Sequence, residues 1–358
     1  MTSPAIIATG AYTRSGTGRG TGVDLLRLAP AAAEGSTGEQ AVERLCTVEL
    51  ENPTFLLWSA DGSLLYAVLE TAPSRLVALR VSEDAAQAEV VADLALRGEG
   101  ACHLAHGHRP DTLVIADYGS GTVETVSLDA QGVPHSVVDL DSHLDRADGA
   151  DPHPHQVVAM PGTELLAVPD LGLDRVFLYA QDSSGQIDLA GEIPLRRGSG
   201  PRHLAADHES EQLHISCERS GMIATAVRQE NEVDPTLPRL ARGAEHRWSV
   251  RSMDPASSHE GTNELSHIEL TSDEGHLLVA NRGPDSVSLL SLVSLRPRIV
   301  AEVEVGAHPR HFTQLGDLVL VAAQEADRID VLRRDGDRLD RAGEPIPSPS
   351  VACIAVRP

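Results

Sequence analysis

Lysine is absent from this chain of 358 residues, so all 29 of its cationic side chains are arginine, a bias we attribute to genomic base composition. Aromatic residues supply only 3% of the sequence, and a folded core must therefore rest on Val, Leu, Ile and Ala. No apolar run approaches the ~20 residues needed to cross a bilayer, and the N-terminus lacks a charged start followed by an apolar stretch. The expectation is a soluble, cytoplasmic protein. Cysteine is scarce and unclustered. Cys46, Cys102, Cys217 and Cys353 form no CxxC pair, which reads as reduced, buried thiols and argues against a zinc site. Positive charge is also short: the formal net charge is -24, which argues against nucleic acid or an anionic membrane as a partner. An anionic ligand would need arginines gathered locally against that field.

What the sequence does have is a recurring spacing. A position just inside one hydrophobic run is followed fifteen residues later by a polar position ending the next run: Phe55 and Glu70, His103 and Tyr118, His155 and Asp170, His203 and Glu218, His267 and Arg282. A sixth pair, His311 and Gln324, is thirteen apart. The first members advance by 48, 52, 48, 64 and 44 residues. Within each unit, short runs rich in Val, Leu and Ile are separated by Gly, Asp, Pro and Ser, as in PTFLLW, SADGS, LLYAVLE and RLVALRV between 53 and 81. Such runs read as strands. No stretch of twelve or more residues keeps a 3.6-residue apolar period.

Repeats of ~40–50 residues, each a small antiparallel sheet, point to an all-β fold, the β-propeller, in which radial repetition hides the strand edges. The segment PSVACIAV at 349–356 resembles an inner strand and AIIATGAYT at 5–13 its partner. The expectation is a ring of seven blades closed by N- and C-terminal strands sharing one blade, with 1–358 as a single domain. The segment 229–262, rich in Glu, Arg, Pro and Ser, explains the 64-residue step and is expected to be a long loop insertion, either an outer loop or a lid over the channel mouth.

In a propeller, equivalent positions of successive repeats converge on the central channel. One column then reads Phe55, His103, His155, His203, His267, His311, the other Glu70, Tyr118, Asp170, Glu218, Arg282, Gln324, and Arg202 and Arg310 adjoin in the near-copies GPRHL and HPRHF. A ring of these groups is too costly to bury without pairing. It is either a satisfied structural network or a site. GTGRGTG at 16–22 imitates a dinucleotide fingerprint, but the strand-like VDLLRL after it offers no helix dipole, so it reads as a hairpin turn.

Nine segments, in order along nearly the whole chain, carry a family likeness: GAYT at 10–13, NPTFLLWSADGSLLYAVLE at 52–70, CHL at 102–104, YGSGTV at 118–123, HPHQVV at 153–158, VPDLGLDRV at 168–176, GSGPRHLA at 198–205, VANRGPDSV at 279–287 and HPRHF at 308–312. With these the chain resembles the lactonase family of seven-bladed propellers, which includes bacterial 6-phosphogluconolactonases and a fungal muconate lactonizing enzyme. The resemblance implies His155, Arg202, Glu218 and Arg282 as catalytic residues, no cofactor and no metal. His103, Tyr118, Asp170, His203, Arg310, His311, Gln324 and Glu70 are the further candidates for substrate contact. The family's Asn before the catalytic Glu is here Cys217, and the one before Glu70 is Leu69; both are expected on the channel wall.

Lactone hydrolysis needs a base effective near neutrality, which an imidazole such as His155 supplies. It also needs positive charge where the carbonyl oxygen becomes an oxyanion, a task for Arg202 and Arg282. Glu218 is either the base or the group that orients an arginine. The leading expectation is a metal-independent lactonase acting on a small anionic sugar lactone, as the resemblance to 6-phosphogluconolactonases implies. The alternatives are a muconate-type cycloisomerase and a non-catalytic binding scaffold.

Overall fold

The computed structural model describes residues 4–29, 42–147, 149–229, 247–294 and 296–358. They form seven antiparallel sheets. Numbered by their innermost strands, the blades are I (Pro53–Trp58), II (Ala101–His106), III (Val158–Ala159), IV (Pro201–Ala206), V (Leu265–Leu270), VI (Pro309–Leu315) and VII (Val351–Val356). Six blades have four strands; in blade VI the outer edge is split between Arg338–Arg341 and Ile346–Pro347, both paired with Arg328–Asp335. A single 3-10 turn, His143–Arg146, is the one helical element among the described residues.

The alternation of side chains across each strand explains the burial. Second strands are apolar on both faces, because each blade is covered by its neighbours, and Leu64–Leu69, Thr112–Asp117, Leu165–Asp170 and Leu318–Ala323 are buried at every position. Outer strands alternate with solvent, as in Val42–Glu49 and Ala88–Ala95. The core lies between blades. Leu56, Leu65, Val77 and Leu79 of blade I pack on Ala8, Val23, Leu25 and Cys353 of blade VII, and Ile7 and Ile354 of blade VII pack on Leu318, Leu320 and Ile329 of blade VI. Aliphatic residues carry these contacts, in keeping with the shortage of aromatics.

The two ends of the chain close the ring. Val351–Val356 pairs antiparallel with Ala5–Ala11, Ala8 opposite Ala355 and Gly10 opposite Cys353. GTGRGTG lies in the turn between Ala5–Ala11 and Gly22–Leu28. Its glycines allow close backbone approach: a Cβ on Gly18 would lie 2.1 Å from the Tyr12 carbonyl oxygen.

The long insertion expected over 229–262 is in part a strand. Residues 230–246 lie outside the described residues, but Arg247–Pro255 pairs with Met222–Gln229 as the outer strand of blade IV. Trp248 is buried there and donates to the Ser210 carbonyl, 2.9 Å. Gln229 and Arg247 are paired at the end of the blade opposite Glu218, so a lid over the Glu218 mouth is not anchored there.

One buried feature stands apart from the apolar core. Asp117, at the end of the second strand of blade II, is fully buried beside Glu124; Thr122 donates to its Oδ2, 3.1 Å, while Oδ1 has no partner. Burial, and then the charge of Glu124, raise the Asp117 carboxyl well above its ordinary range. In blade V the same place is held by Asn281, whose amide donates to Ser286 and Ser288, 3.2 and 2.9 Å.

Two outcomes are expected. Deleting residues 351–358 removes the buried Val351, Ala352, Cys353 and Ile354 with their ladder. At about 1.5–3 kcal/mol for each large side chain the melting temperature should fall by roughly 10 °C or more; unchanged melting in calorimetry refutes closure by the ends. A raised folded-state pKa means the Asp117 contribution is present at low pH and lost as pH rises through that pKa. Asp117→Asn, fixed in the neutral form, should therefore stabilise by roughly 1–3 kcal/mol at pH 7–8 and lose that advantage near pH 4; melting curves across pH check it.

Candidate active site at the channel mouth

One backbone hydrogen bond recurs in all seven blades. The N–H of Tyr12, Glu70, Tyr118, Leu171, Glu218, Arg282 and Gln324 donates to the carbonyl of Ser350, Asn52, Gly100, His153, Gly200, Glu264 and His308, respectively, over 2.7–3.1 Å. Five of the acceptors, Ser350, Asn52, Gly100, Gly200 and His308, have φ between 44° and 67°. After each acceptor the inner strand begins with a register shift, so two residues oppose one. The shifts turn Thr54, Cys102, Arg202 and Arg310 toward the axis, with His155 in the matching place of blade III. Below them lie Phe55, His103, Gln156, His203, His267, His311 and Cys353.

This register corrects one expectation. Pro154 bridges Asp170 as Pro201 pairs with Cys217, so His155 matches Arg202, not His203, and Leu171, not Asp170, matches Glu218. Asp170 is withdrawn from the channel. It is fully buried, accepts from the backbone N–H of His153, Gly172 and Leu173, each 2.9 Å, and meets His143 Nδ1 at 2.6 Å. His143 Nε2 in turn meets Tyr179 Oη at 2.8 Å. Leu69 and Cys217 occupy the same place as Asp170 in their blades and belong to apolar clusters between blades. They do not line the channel, because successive side chains of a strand face opposite ways.

The remaining candidates come together. Glu218 is ion-paired with two arginines: Arg282 Nη2 lies 2.5 Å from Oε2 and Arg202 Nε 3.0 Å from the same oxygen. Glu218 is 22% exposed and Arg202 2%. The Arg202 N–H is not aimed at the carboxylate, and both its Nε and its Nη1 are buried without a hydrogen-bond partner. Burial, then repulsion from Arg282 and Arg310, pushes the Arg202 guanidinium down to about 9. On the far side Arg310 lies 5.2 Å over the Tyr12 ring, and Tyr12 donates to Glu70 at 2.8 Å. Tyr118 stacks on His153 at 4.2 Å and meets His155 edge-on at 5.6 Å. Gln324 completes the mouth; its Oε1 is buried and unpartnered.

Beneath this rim is a cavity of about 10 Å³, lined by Thr54, Phe55, Cys102, His155, Arg202, His203, Arg310, His311 and Ala352. That is room for about one water molecule. The imidazoles around it pack as rings: His103 to His203 5.6 Å, His155 to His203 5.3 Å, His267 to His311 4.2 Å. Burial first, then the arginines and neighbouring imidazoles, hold His103, His155, His203 and His311 well below the usual histidine range, so they are neutral at pH 7. His153 Nδ1 bonds the Tyr118 carbonyl at 2.9 Å. Among the described residues no three His, Cys, Asp or Glu side chains are grouped to hold a metal ion.

Tyr12, Cys102 and His308 were not legible as site residues. His308 sits at φ 58° with Nε2 3.5 Å from Arg282 Nη1. Burial, then Arg282 and Arg310, lower it to about 4. The sequence signal for Tyr12 is its GAYT segment, whose partner Ser350 lies at the other end of the chain.

The family described as "Lactonase, 7-bladed beta-propeller" matches residues 6–356. The 6-phosphogluconolactonase of Bacillus subtilis (strain 168) is 23% identical over 249 residues, 68% of each chain. A periplasmic gluconolactonase of Pseudomonas aeruginosa superposes with a TM-score of 0.84 at 22% identity, covering 99% of both chains. A Lactobacillus plantarum protein gives 0.84 at 21% identity with the same coverage.

Three guanidiniums facing two carboxylates around buried, unpartnered N–H groups make an anion-binding geometry. Inorganic phosphate, at constant ionic strength, should raise the melting temperature of the wild type, by about 2.7 kcal/mol of stabilisation at 100 times the dissociation constant. Arg202→Leu should remove that response; an equal shift in both proteins would place the anion elsewhere.

Proposed function

The chain belongs to the lactonase family of seven-bladed β-propellers, as a lactone hydrolase, and from that premise we propose that its substrate is a small anionic sugar lactone such as 6-phosphogluconolactone, opened without a metal. The observation that carries this reading is the buried Arg202, with unpartnered Nε and Nη1, beside Arg282 and Arg310. In a chain of net charge -24, three arginines against Glu70 and Glu218 give the mouth a local positive excess. That excess recruits an anion by charge-assisted hydrogen bonds.

The reaction follows from the same groups. Water in the cavity attacks the lactone carbonyl carbon and gives a proton to a neutral imidazole. The oxyanion forms against the Arg202 guanidinium, whose N–H groups are already desolvated and need no reorganisation. The ring C–O bond then breaks, and the leaving oxygen takes the proton back from the imidazolium to leave a hydroxy acid. Glu218, held by Arg202 and Arg282, orients the two arginines. The base is sought among the neutral imidazoles that line the cavity, His155 among them. Tyr118, Gln324, Glu70 and Arg310 form the rim that meets the sugar. His103 and His311 shape the floor. The cysteines are all free thiols, which fits the reducing cytoplasm as the compartment.

The test is hydrolysis of freshly made 6-phosphogluconolactone against its spontaneous rate, with Arg282→Ala and Glu218→Gln beside the wild type. We expect a rate above background and a fall in kcat/KM of roughly 10²–10³-fold for Arg282→Ala, with a smaller loss for Glu218→Gln. A wild type no faster than buffer removes the phosphogluconolactone assignment.

A further inference from the structure

Behind the cavity lies a chain of three side chains that leads from its wall into the channel. His203 Nδ1 is 2.8 Å from His267 Nδ1. His267 Nε2 is 2.9 Å from Glu269 Oε1, two residues along the same strand. Glu269 Oε2 accepts from Gln314 Nε2, 2.8 Å. A carboxylate only accepts, so His267 carries its proton on Nε2. With a single proton on the His267 ring, its Nδ1 presents a lone pair, and the hydrogen bond between the two Nδ1 atoms then places the shared proton on His203. His203 is thereby held in the tautomer whose Nε2 is unprotonated. Its backbone N–H is committed to Ser216 Oγ, 3.2 Å, and its Nδ1 to His267, leaving Nε2 as the polar atom of a ring that walls the cavity.

We propose that His203 is the general base of this site, with His267 and Glu269 as its positioning relay. The inference rests on the lactonase reading and says which imidazole takes the proton from water. His155 also lines the cavity, but its Nδ1 faces the Cys102 thiol at 3.8 Å, and among the described residues no carboxylate hydrogen-bonds its ring. The surroundings of His203 fit a base that is neutral before the reaction. It faces His103 of blade II, His155 of blade III and His267 of blade V, with Arg202 beside it in its own strand. Burial, then Arg202 and the neighbouring imidazoles, oppose a resting imidazolium. Once the proton is taken, the new charge is stabilised through His267 by Glu269, the logic of a carboxylate orienting a catalytic imidazole with one more ring between them. The His203 Nε2 proton then passes to the departing ring oxygen, so water and lactone become hydroxy acid with the enzyme restored.

The first test needs no turnover. In protein labelled with ¹⁵N-histidine, NMR should show His203 protonated at Nδ1 and His267 at Nε2, with coupling across the Nδ1–H···Nδ1 bond; a His203 protonated at Nε2 overturns the proposal. The second is kinetic. His203→Gln should lower kcat by about 10²-fold or more with KM little changed. Glu269→Gln should lower kcat and move the acidic limb of the pH–rate profile to lower pH, because losing the carboxylate makes His203 less basic. A structural role alone would change melting and leave the limb in place, and an unmoved limb counts against the relay. A wild type that hydrolyses no lactone defeats the lactonase reading and the role of His203 with it. A wild type that hydrolyses lactone beside an equally active His203→Gln defeats only the assignment of the base.

Discussion

The channel mouth depends on a backbone hydrogen bond made seven times, from the residue that follows each second strand to a carbonyl ahead of each inner strand. It fixes where every inner strand starts, and with the register shift that follows it decides which side chains reach the axis. Arg202 and Arg310 are there because the shift turns them inward, and Glu218, Arg282, Tyr12 and Glu70 meet them because the bonded N–H is their own. The cost is paid in backbone conformation. Asn52, His308 and Ser350 carry side chains in the left-handed region, where an L-residue is disfavoured by roughly 1 kcal/mol or more, and the fold holds them there by repetition.

Charge is organised on the same frame. The protein is strongly acidic, yet the channel mouth buries the Arg202 guanidinium almost completely, and each carboxylate at the mouth touches an arginine or the tyrosine beneath one. His103, His155, His203 and His311 are kept neutral by burial and by those cations together. A desolvated positive rim over an uncharged, hydrogen-bonding floor favours charge that develops on the ligand over charge already present in the protein.

The fold was legible because strand and turn grammar is local and the repeat length is visible. The sharing of a blade by the two ends was legible for the same reason: PSVACIAV and AIIATGAYT each lack a neighbouring partner. The site was legible in part. Arg202, Glu218 and Arg282 meet as their columns require, but the fifteen-residue spacing fixes only a difference. His155 to Asp170 and Gln156 to Leu171 satisfy it equally, and the sequence favoured the polar pair, while the bridge of Pro154 to Asp170 selects the other. Cys217 and Leu69 were placed on the wrong face for another reason: each adjoins a mouth residue, and successive side chains of a strand face opposite ways. Tyr12 was hidden because its column partner lies across the chain ends. The tie between His203 and His267 depends on two ring orientations, which no spacing encodes.

Closure of the ring also has a consequence in time. The strand Ala5–Ala11 is made long before its inner partner Val351–Val356, so at about 5–20 residues per second a nascent chain keeps that inner edge open for roughly 20–70 s. Tyr12 and Arg310 can be placed against each other only when blade VII assembles. One short strand, Val351–Val356, thus does two jobs at once: it covers a sheet edge that would otherwise invite edge-to-edge pairing, and it completes the mouth.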